Sequence, residues 1–257
     1  MVQVITRGKS NSVIEIDAWG ILTRELNMRL REAASNGTRK IRLRNVYGQR
    51  YIGTDLDEPV EIEIFGTPGN DLGAFMDGPK IIVRGNAQDG CGNTMNDGKI
   101  IVHGHAGDIT GLAARGGKIF VKEGVGYRAG IHMKEYGDKK PVLVIGGTAQ
   151  DFPGEYMAGG IMILLGLDLR EGEGHRANYI GTGMHGGVIY LRGKVNNFQL
   201  GQEVGIAELD EQDYPNLERY VGEFASHFGY GAKEILSHRF IKLFPLYLRP
   251  YGRLYAY

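Results

Sequence analysis

Three successive stretches decide the fold: KIIVRGNAQDGCG (80–92), KIIVHGHAGDITG (99–111) and KIFVKEGVGYRAG (118–130). Each begins with a short apolar run typical of a buried strand and continues into a glycine-rich turn. Lys80, Lys99 and Lys118, which open the three stretches, are spaced 19 residues apart. A strand and a turn that recur at a period of about twenty residues predict a solenoid, in which each coil packs on the next.

Weaker copies of the same unit lie on both sides of these three. They are VEIEIFG (60–66), PVLVIGG (141–147), IMILLG (161–166) and VIYLRG (188–193). The residues at the end of the strand, in order, are Gly66, Gly85, Gly104, Glu123, Gly146, Gly166 and Gly193, with steps of 19, 19, 19, 23, 20 and 27 residues. The seven units predict about seven coils.

Many of the 41 glycines recur in phase with the strands. We interpret them as corners, where the backbone needs a positive φ or passes close to the neighbouring coil. The corner glycines predicted in this way are Gly66, Gly73, Gly85, Gly92, Gly104, Gly111, Gly130, Gly146, Gly154, Gly166 and Gly193. The glycine content is therefore explained by architecture before any binding function.

The composition argues against several classes of function. The formal net charge is zero, so there is no global electrostatic case for binding nucleic acid or an anionic membrane. No apolar run approaches the roughly 18 to 20 residues that span a bilayer, and no signal-type segment follows Met1, so we expect a cytoplasmic protein. The single cysteine, Cys91, lacks the thiol partners that a disulfide, an iron–sulfur cluster or a thiolate zinc site requires.

The segments that flank the repeat differ from it. Residues 1–56 predict a β-α-β lead segment: a strand at 12–17, an amphipathic helix at 23–35 that ends at Asn36 and Gly37, and a strand at 40–46. The repeat itself occupies residues 57–205 as a glycine-rich β-helix domain.

Residues 206–257 predict a helical extension and a tail. One helix starts near Asp213 and Pro215 and ends at Gly229, and a second runs from about Ala232 to Phe244. An open solenoid end exposes core residues, so we expect a terminal helix to lie over that end as a cap. The tail after Pro245 mixes arginine and tyrosine, which favours contact with a partner protein or with the solenoid itself.

Two stretches match the G-x-G-x-x-G/A dinucleotide fingerprint, but neither has the context that nucleotide binding needs. GVGYRA (124–129) follows a strand without room for a complete crossover helix, and GTGMHG (181–186) precedes its strand. We therefore interpret both as glycine corners.

The titratable residues form no recognised catalytic set. His103 and His105 are spaced to share a metal, but they align with Arg84 and Asn86 of the preceding unit and have no third ligand at a motif distance. Asp71, Asp89 and Asp108 recur in phase, as a carboxylate ladder or, more simply, as exposed aspartates that bond local backbone in a turn. His227 and His238 are expected at a surface or interface. We predict no catalytic residue, no cofactor-binding residue and no metal ligand in this chain.

One insert interrupts the repeat with a group of titratable residues. It contains Glu171, Glu173, His175 and Arg176. We regard these four residues as candidates for a contact loop.

Four runs carry a resemblance to a known family. They are NGTRKIRLRNVYGQRYIGTDL (36–56), IFGTPGNDLGAFMDG (64–78), NDGKIIVHGHAGDITGLAARGGKIFVKEGVGYRAGIHM (96–133) and EYMAGGIMILLG (155–166). Together they resemble the C-terminal GXGXG domain of the glutamate synthase large subunit, in order, over roughly residues 10 to 205. NVYGQRYIG and EYMAGG are more specific than the glycines.

The resemblance implies a right-handed, single-stranded parallel β-helix that acts as a scaffold. In that family the glutaminase reaction and the FMN and iron–sulfur chemistry that converts 2-oxoglutarate to glutamate belong to other domains. The chain would then be a non-catalytic subunit of a split glutamate synthase, with glutaminase and FMN/iron–sulfur subunits as partners and a homo-oligomer as a further possibility. The glycine-rich solenoid of formylmethanofuran dehydrogenase is a similar scaffold and is the alternative, beside a stand-alone β-helix binding protein.

Two other classes of protein were compared with the sequence. A sugar-cleaving β-helix enzyme needs carboxylates at matched coils of a groove and is usually secreted, and neither feature is evident. A hexapeptide acyltransferase has a left-handed coil with an internal period of six residues, which KIIVRGNAQDGCGNTMNDG lacks. The hand of the solenoid would separate the last class from the parallel β-helix.

Overall fold

A computed structural model describes residues 2–5, for their backbone alone, and residues 13–247. Its strands form one sheet in the order β1-β2-β3-β4-β5-β6-β7-β8-β9-β10-β12-β11. The strands are β1 (Val2–Ile5), β2 (Val13–Asp17), β3 (Lys40–Tyr47), β4 (Glu61–Thr67), β5 (Asp77–Val83), β6 (Asp97–Val102), β7 (Lys118–Val121), β8 (Val142–Ile145), β9 (Ala158–Leu164), β10 (Gly186–Arg192), β11 (Val204–Ala207) and β12 (Phe240–Pro245). The helices are α1 (Thr23–Ser35), α2 (Tyr214–Phe228) and α3 (Ala232–Leu236), with a short 3₁₀ turn at Asn197–Gln199.

Strands β2 to β9 each pair in parallel with the next strand in the sequence, so the parallel series ends at β10. A parallel neighbour requires the chain to return to the start of the sheet between strands, so the connections wind into coils. The result is a parallel β-solenoid of about six turns, close to the seven coils that the repeat predicts. The hand of the coil and the division of the chain at residues 56 and 205 stay predictions.

The strand register sorts side chains onto two faces. Ile81, Ile100 and Ile119 are aligned in β5, β6 and β7 and belong to the core inside the coils. Ile82 and Phe120 alternate with them and belong to a second buried cluster on the outer face of the sheet. Side chains alternate along a strand, so the unbroken apolar runs KIIV and KIFV are those of strands buried on both faces.

Helix α2 covers the outer face of the sheet. Leu217, Val221 and Phe224 of α2 are buried in the same cluster as Phe120 of β7. The prediction that the C-terminal helix caps the open end of the solenoid is therefore wrong. β5 to β10 present an apolar row outwards, and α2 removes that row from water by packing against it.

The beginning of α2 is fixed to the sheet by a buried polar contact. The Tyr190 hydroxyl on β10 donates a hydrogen bond of 2.7 Å to Asp213, the residue before the helix. Lys242 on β12 forms an ion pair of 2.9 Å with the same carboxylate. Burial raises the pKa of Tyr190, and the hydrogen bond to Asp213 raises it further. Tyr190 therefore stays protonated and remains a donor.

The second predicted C-terminal helix ends early. It stops at Leu236, and the chain then forms β12, so the expected helix up to Phe244 is wrong. Phe240, Ile241 and Leu243 of β12 pair antiparallel with β10. Without β12, β10 would be the last strand of the parallel series and would have an open edge. The tail predicted after Pro245 lies mostly outside the described residues, which end at Tyr247.

Helix α1 closes the N-terminal end of the solenoid. Its Leu26 and Leu30 are buried in the core inside the coils. The Asn27 side chain donates to the Arg50 carbonyl at 3.0 Å, and Arg31 donates to the Thr54 carbonyl at 2.7 Å. The first coil therefore meets helix side chains where later coils meet another coil. No helix in the described part of the chain is long and apolar enough to cross a membrane.

Each coil contains a turn with three left-handed residues at alternate positions, which we call the glycine turn. The middle residue is always glycine, with φ between +65° and +76°: Gly53, Gly73, Gly92, Gly111, Gly130, Gly154 and Gly181. A Cβ on Gly73 would lie 2.9 Å from Ile100 Cδ1 in the core. The middle position therefore requires glycine for both its conformation and its space.

The residues on either side of the middle glycine are also left-handed, but most carry side chains. We call them the first column (Tyr51, Asp71, Gly90, Ile109, Arg128, Phe152, Tyr179) and the second column (Asp55, Phe75, Thr94, Ala113, His132, Tyr156, Gly183). Several large members are exposed, which shows that the columns lie on the outside of the turn.

Backbone hydrogen bonds join the glycine turns of neighbouring coils in alternating directions. The Gly92 N–H donates back to the Leu72 carbonyl of the preceding coil at 2.8 Å, whereas the Ile109 N–H donates forward to the Tyr127 carbonyl of the next coil at 2.8 Å. The turns therefore form a hydrogen-bonded stack of their own in addition to the sheet.

Candidate functional site

Three side chains of the first column form an exposed stack on the glycine turns. The Phe152 and Tyr179 rings are nearly parallel, 10° apart, with their centroids 4.7 Å from each other. The Arg128 guanidinium lies over the other face of Phe152, 4.8 Å from the ring centroid, and Arg128 Nε donates to Glu155 at 2.8 Å. A guanidinium over an aromatic face is a favourable cation–π arrangement. We call Arg128, Phe152 and Tyr179 the aromatic ladder.

The second column carries a parallel pair beside the aromatic ladder. The His132 and Tyr156 rings stack at 5.3 Å with an angle of 11° between them. Phe75 and Tyr156, in the same column, are 50% and 46% exposed. Aromatic side chains with this exposure are the type that protein interfaces use as anchors.

The aromatic ladder ends in an open cleft at the C-terminal end of the solenoid. The cleft has a volume of about 760 Å³ and includes Tyr179, Asn197, Phe198, Glu203 and Ile206 in its lining. Phe198 is 80% exposed. Glu203 Oε2 accepts a hydrogen bond of 3.2 Å from the Gly183 N–H, so its carboxylate is oriented at the end of the second column.

The two histidines with metal-like spacing do not form a metal site. His103 Nε2 lies 2.9 Å from Arg84 Nη1, and its ring meets Phe228 of α2 edge-on. Burial, and then the charges of Arg84 and Lys122, lower the pKa of His103. His105 is exposed. Among the described residues there is no group of three or more side chains arranged to hold a metal ion.

The recurring aspartates connect coils. Asp89 Oδ1 accepts from the Asp108 N–H at 2.9 Å, and Asp108 Oδ1 accepts from the Tyr127 N–H at 2.8 Å. Asp71 Oδ1 accepts from the Asn93 side chain at 3.0 Å. The expectation that these carboxylates bond local backbone is corrected: their partners belong to the next coil. They form neither a metal ladder nor a free acidic groove.

The contact-loop candidates separate into different environments. Glu171 is exposed, and Glu173 and Arg176 lie 3.6 Å apart as an ion pair at the surface. His175 is only 4% exposed, and its Nε2 lies 3.0 Å from the Arg192 carbonyl oxygen. Burial lowers the pKa of His175. The structure therefore places His175 as an anchor of the insert to the last coil, away from the exposed carboxylates.

Both nucleotide-like stretches coincide with the repeating turn. Arg128, near the end of the first stretch, and Gly130, which directly follows it, are the first-column and middle residues of one glycine turn, and Gly181 is the middle residue of another. The chain after Gly130 continues as turns towards β8 and contains no helix. The backbone N–H groups of Arg128 and Gly130 already donate to neighbouring coils.

Sequence reasoning missed the clamp between α2 and the strands. Glu223 forms ion pairs with Lys99 and Lys118, the second with an N···O distance of 2.7 Å. His227, expected at a surface or interface, is largely covered between α2 and the sheet and meets the Phe120 ring edge-on. The pKa of His227 is lowered by burial and then by the charge of Lys99. The alignment of Lys99 with Lys118 in the repeat was the signal in the sequence that could have indicated an ion pair here. It does not reveal which acidic residue of the C-terminal helix pairs with them.

The aromatic ladder was also missed. Arg128 lies two residues before Gly130, and Phe152 two residues before Gly154, so their phase relative to the middle glycines was visible. The longer steps between later coils concealed that Tyr179 follows in the same column. The positions of these residues show that large side chains can be displayed on the glycine turns without entering the core.

Fold and surface together define a parallel β-solenoid protein with stacked glycine turns, whose exposed aromatic side chains lie on the outside of those turns. Residues 14–247 match the GXGXG motif family, and the chain belongs to it.

The comparisons with individual proteins agree with this assignment. The uncharacterized protein MJ1350 of Methanocaldococcus jannaschii is 50% identical over 256 residues, which are 96% of this chain and 98% of the relative. A chain of the formyltransferase/hydrolase complex (FhcABCD) from Methylorubrum extorquens, crystallised in complex with methylofuran, superposes with a TM-score of 0.60. That match covers 93% of each chain at 17% sequence identity, so it supports the fold alone.

Proposed function

We propose that this chain is a non-catalytic scaffold subunit of a split glutamate synthase, in which partner chains carry the glutaminase reaction and the FMN and iron–sulfur chemistry. The observation that carries the proposal is the match to the GXGXG family over nearly the whole chain. The resemblance of NVYGQRYIG to the glutamate synthase version of this domain favours that complex.

The placement of the polar groups supports a scaffold role. Gln49, in the middle of NVYGQRYIG, donates to the Ala18 carbonyl at 2.9 Å and to the Ile21 carbonyl at 3.2 Å. This residue is buried and joins the first coil to the segment before α1. Among the titratable groups that sequence reasoning singled out, Asp89 and Asp108 serve as inter-coil contacts and His175 joins the insert to β10. A rigid solenoid with side chains displayed on its outer surface suits a protein that positions others.

Reconstitution tests the proposal. The chain would be mixed with the glutaminase and FMN/iron–sulfur chains from the same organism, and the mixture analysed by size-exclusion chromatography with light scattering. Glutamate formation from glutamine and 2-oxoglutarate would be measured with and without this chain. We expect a stable complex and a higher rate in its presence, with no oxidation of NADPH by the chain alone. If no complex forms and the rate is unchanged, the glutamate synthase assignment is wrong.

A second candidate is a scaffold role in a formylmethanofuran dehydrogenase-like complex. The structural match to a chain of a formyltransferase/hydrolase complex over 93% of both chains favours it. The same mixing experiment, performed with formyltransferase/hydrolase-type chains from the organism, separates the two candidates because only one set of partners would form a complex of defined stoichiometry.

A further inference from the structure

The aromatic ladder is complete at one end and open at the other. Along the solenoid axis the order is Arg128, Phe152 and Tyr179, and the cleft follows. At the first end a guanidinium covers the ring of Phe152 and a carboxylate, Glu155, holds that guanidinium. At the second end Tyr179 is 53% exposed. The chain continues beside it, with Leu200 paired to Ile180, and these residues line the cleft; among the described residues the ring stacked on Tyr179 is that of Phe152.

The cleft repeats the components that hold Arg128 in place. It offers an aromatic ring in Tyr179, a second exposed ring in Phe198 and a carboxylate in Glu203. Glu203 accepts one backbone hydrogen bond through Oε2, which fixes the carboxylate and leaves acceptor capacity for a further donor. Asn197 and Gln202 add amide groups, and the residues that line the cleft include no lysine or arginine. The site therefore combines acceptors with aromatic faces and has no positive charge of its own.

This combination selects a planar cation. Arginine presents a flat guanidinium that stacks on an aromatic ring while its N–H groups donate to a carboxylate, whereas the compact ammonium of lysine does not stack in this way. A neutral ring would stack on Tyr179 but would not use the carboxylate of Glu203. The contacts of Arg128 show that the same chemistry is already used two coils before Tyr179 in this column.

We propose that the cleft binds the guanidinium group of an arginine from a partner chain, which extends the aromatic ladder by one position. The existence of a partner rests on the scaffold function proposed above, and the charge complementarity and the Arg128 arrangement identify its chemistry. The neighbouring edge strand β11 gives an extended partner segment room to lie beside the cleft, since β11 is the last strand of the sheet.

A peptide titration tests the inference without any partner protein. The probe is acetyl-Ala-Arg-Ala-amide, titrated into the full chain and followed by NMR chemical shifts, with the lysine and glutamine versions as matched peptides. We expect saturable binding of the arginine peptide and binding at least about threefold weaker for the lysine peptide. Equal binding of the three peptides, or no saturable binding, would overturn the inference.

Substitutions in the cleft locate the binding site. We expect Tyr179→Ala to weaken arginine-peptide binding about tenfold and Glu203→Gln to weaken it several-fold, while Tyr179→Phe retains it within about twofold. Tyr51→Ala is the matched control, because Tyr51 occupies the first column at the opposite end and is 47% exposed. An equal loss with Tyr51→Ala would contradict a site in the cleft.

The source of the arginine is distinguished by a shortened chain. Residues 248–257 contain Arg249 and Arg253, so the titration is repeated on a chain that ends at Tyr247. Similar affinity for both chains supports an arginine from a partner. Binding to the shortened chain alone would overturn the partner assignment in favour of these residues. If the arginine peptide binds but reconstitution fails, only the glutamate synthase assignment is refuted. If an active complex forms but the arginine peptide does not bind, only the proposal of arginine binding in the cleft is refuted.

Discussion

The strand side and the glycine-turn side of the same coils stack by different means. On the strand side both faces of β5 to β10 are buried, inside by the core and outside by α2 and the segment after it. On the turn side alternate left-handed residues place only the middle glycine against the core, and flanking side chains such as Phe75, Tyr156 and Tyr179 are about half exposed. The comparison teaches that burial on the strand side restricts most positions to apolar residues. On the turn side only the middle position is restricted, to glycine, and the flanking side chains remain available for recognition.

The strand side is tested most strongly by Phe224→Ala in α2. Phe224 is fully buried on the outer face, so its truncation removes apolar burial and leaves a cavity. We expect a loss of about 3–5 kcal/mol in the free energy of unfolding, measured by urea denaturation. Tyr214→Ala on the same helix is the control, because Tyr214 is 52% exposed, and we expect a change within about 0.5 kcal/mol. Equal effects would mean that α2 does not cover the sheet.

The turn side is tested by Gly92→Ala. Gly92 has φ of +72°, and a new Cβ would collide with the Ile119 side chain in the core. Left-handed strain and overpacking together should cost about 2–4 kcal/mol by urea denaturation.

The matched substitution on the turn side is Ala113→Gly. Ala113 is also left-handed, with φ of +51°, but it lies in the second column on the outside of the turn. Glycine relieves the left-handed strain of the folded state, which stabilises the protein, but it also gives the unfolded chain more freedom, which destabilises it. We therefore expect the free energy of unfolding to change by between zero and a gain of about 1 kcal/mol. A loss as large as that of Gly92→Ala would contradict the distinction between middle and flanking positions.

A smaller loss than that of Gly92→Ala is expected where α2 is clamped to the strands. Burial alone would raise the pKa of Glu223, but the hydrogen bonds and charges of Lys118 and Lys99 outweigh it and lower the pKa below its ordinary value of 4.5. The stability from this clamp is therefore fully present above about pH 4.5 and is lost as pH falls through the lower folded-state pKa. Glu223→Gln should cost about 1–2 kcal/mol at pH 7 in thermal unfolding monitored by circular dichroism.

The pH dependence provides the internal check on the Glu223 clamp. The difference in stability between the original chain and Glu223→Gln should shrink at pH 3, because the carboxylate that distinguishes them becomes protonated. Glu25→Gln, which breaks an exposed pair with Arg29 on α1, should change stability little at either pH. A difference that persists unchanged at pH 3 would show that the charge of Glu223 is not the cause.

Local patterns predicted much of the fold. The strand of β3, the helix of α1 and the phase of the glycines are written in short stretches of sequence, because period and turn chemistry are local properties. The contacts of α2 were not predictable in the same way, since Phe224 meets strands that lie far away in the chain. Residues 240–245 looked helical by composition, and only the open edge of β10 makes a strand there favourable. The aromatic ladder depends on coils of unequal length coming into register, which no single repeat reveals.

The regular pairing of coils also gives the solenoid a defined length. Neighbouring strands in a sheet are about 4.8 Å apart, so about six turns separate the α1 end from the cleft end by roughly 30 Å. Each step is held twice, by the sheet and by the glycine-turn hydrogen bonds, so this length resists both stretching and bending. Two proteins attached at the opposite ends would be kept at a fixed separation, and the addition or loss of one coil would change that separation by a single increment.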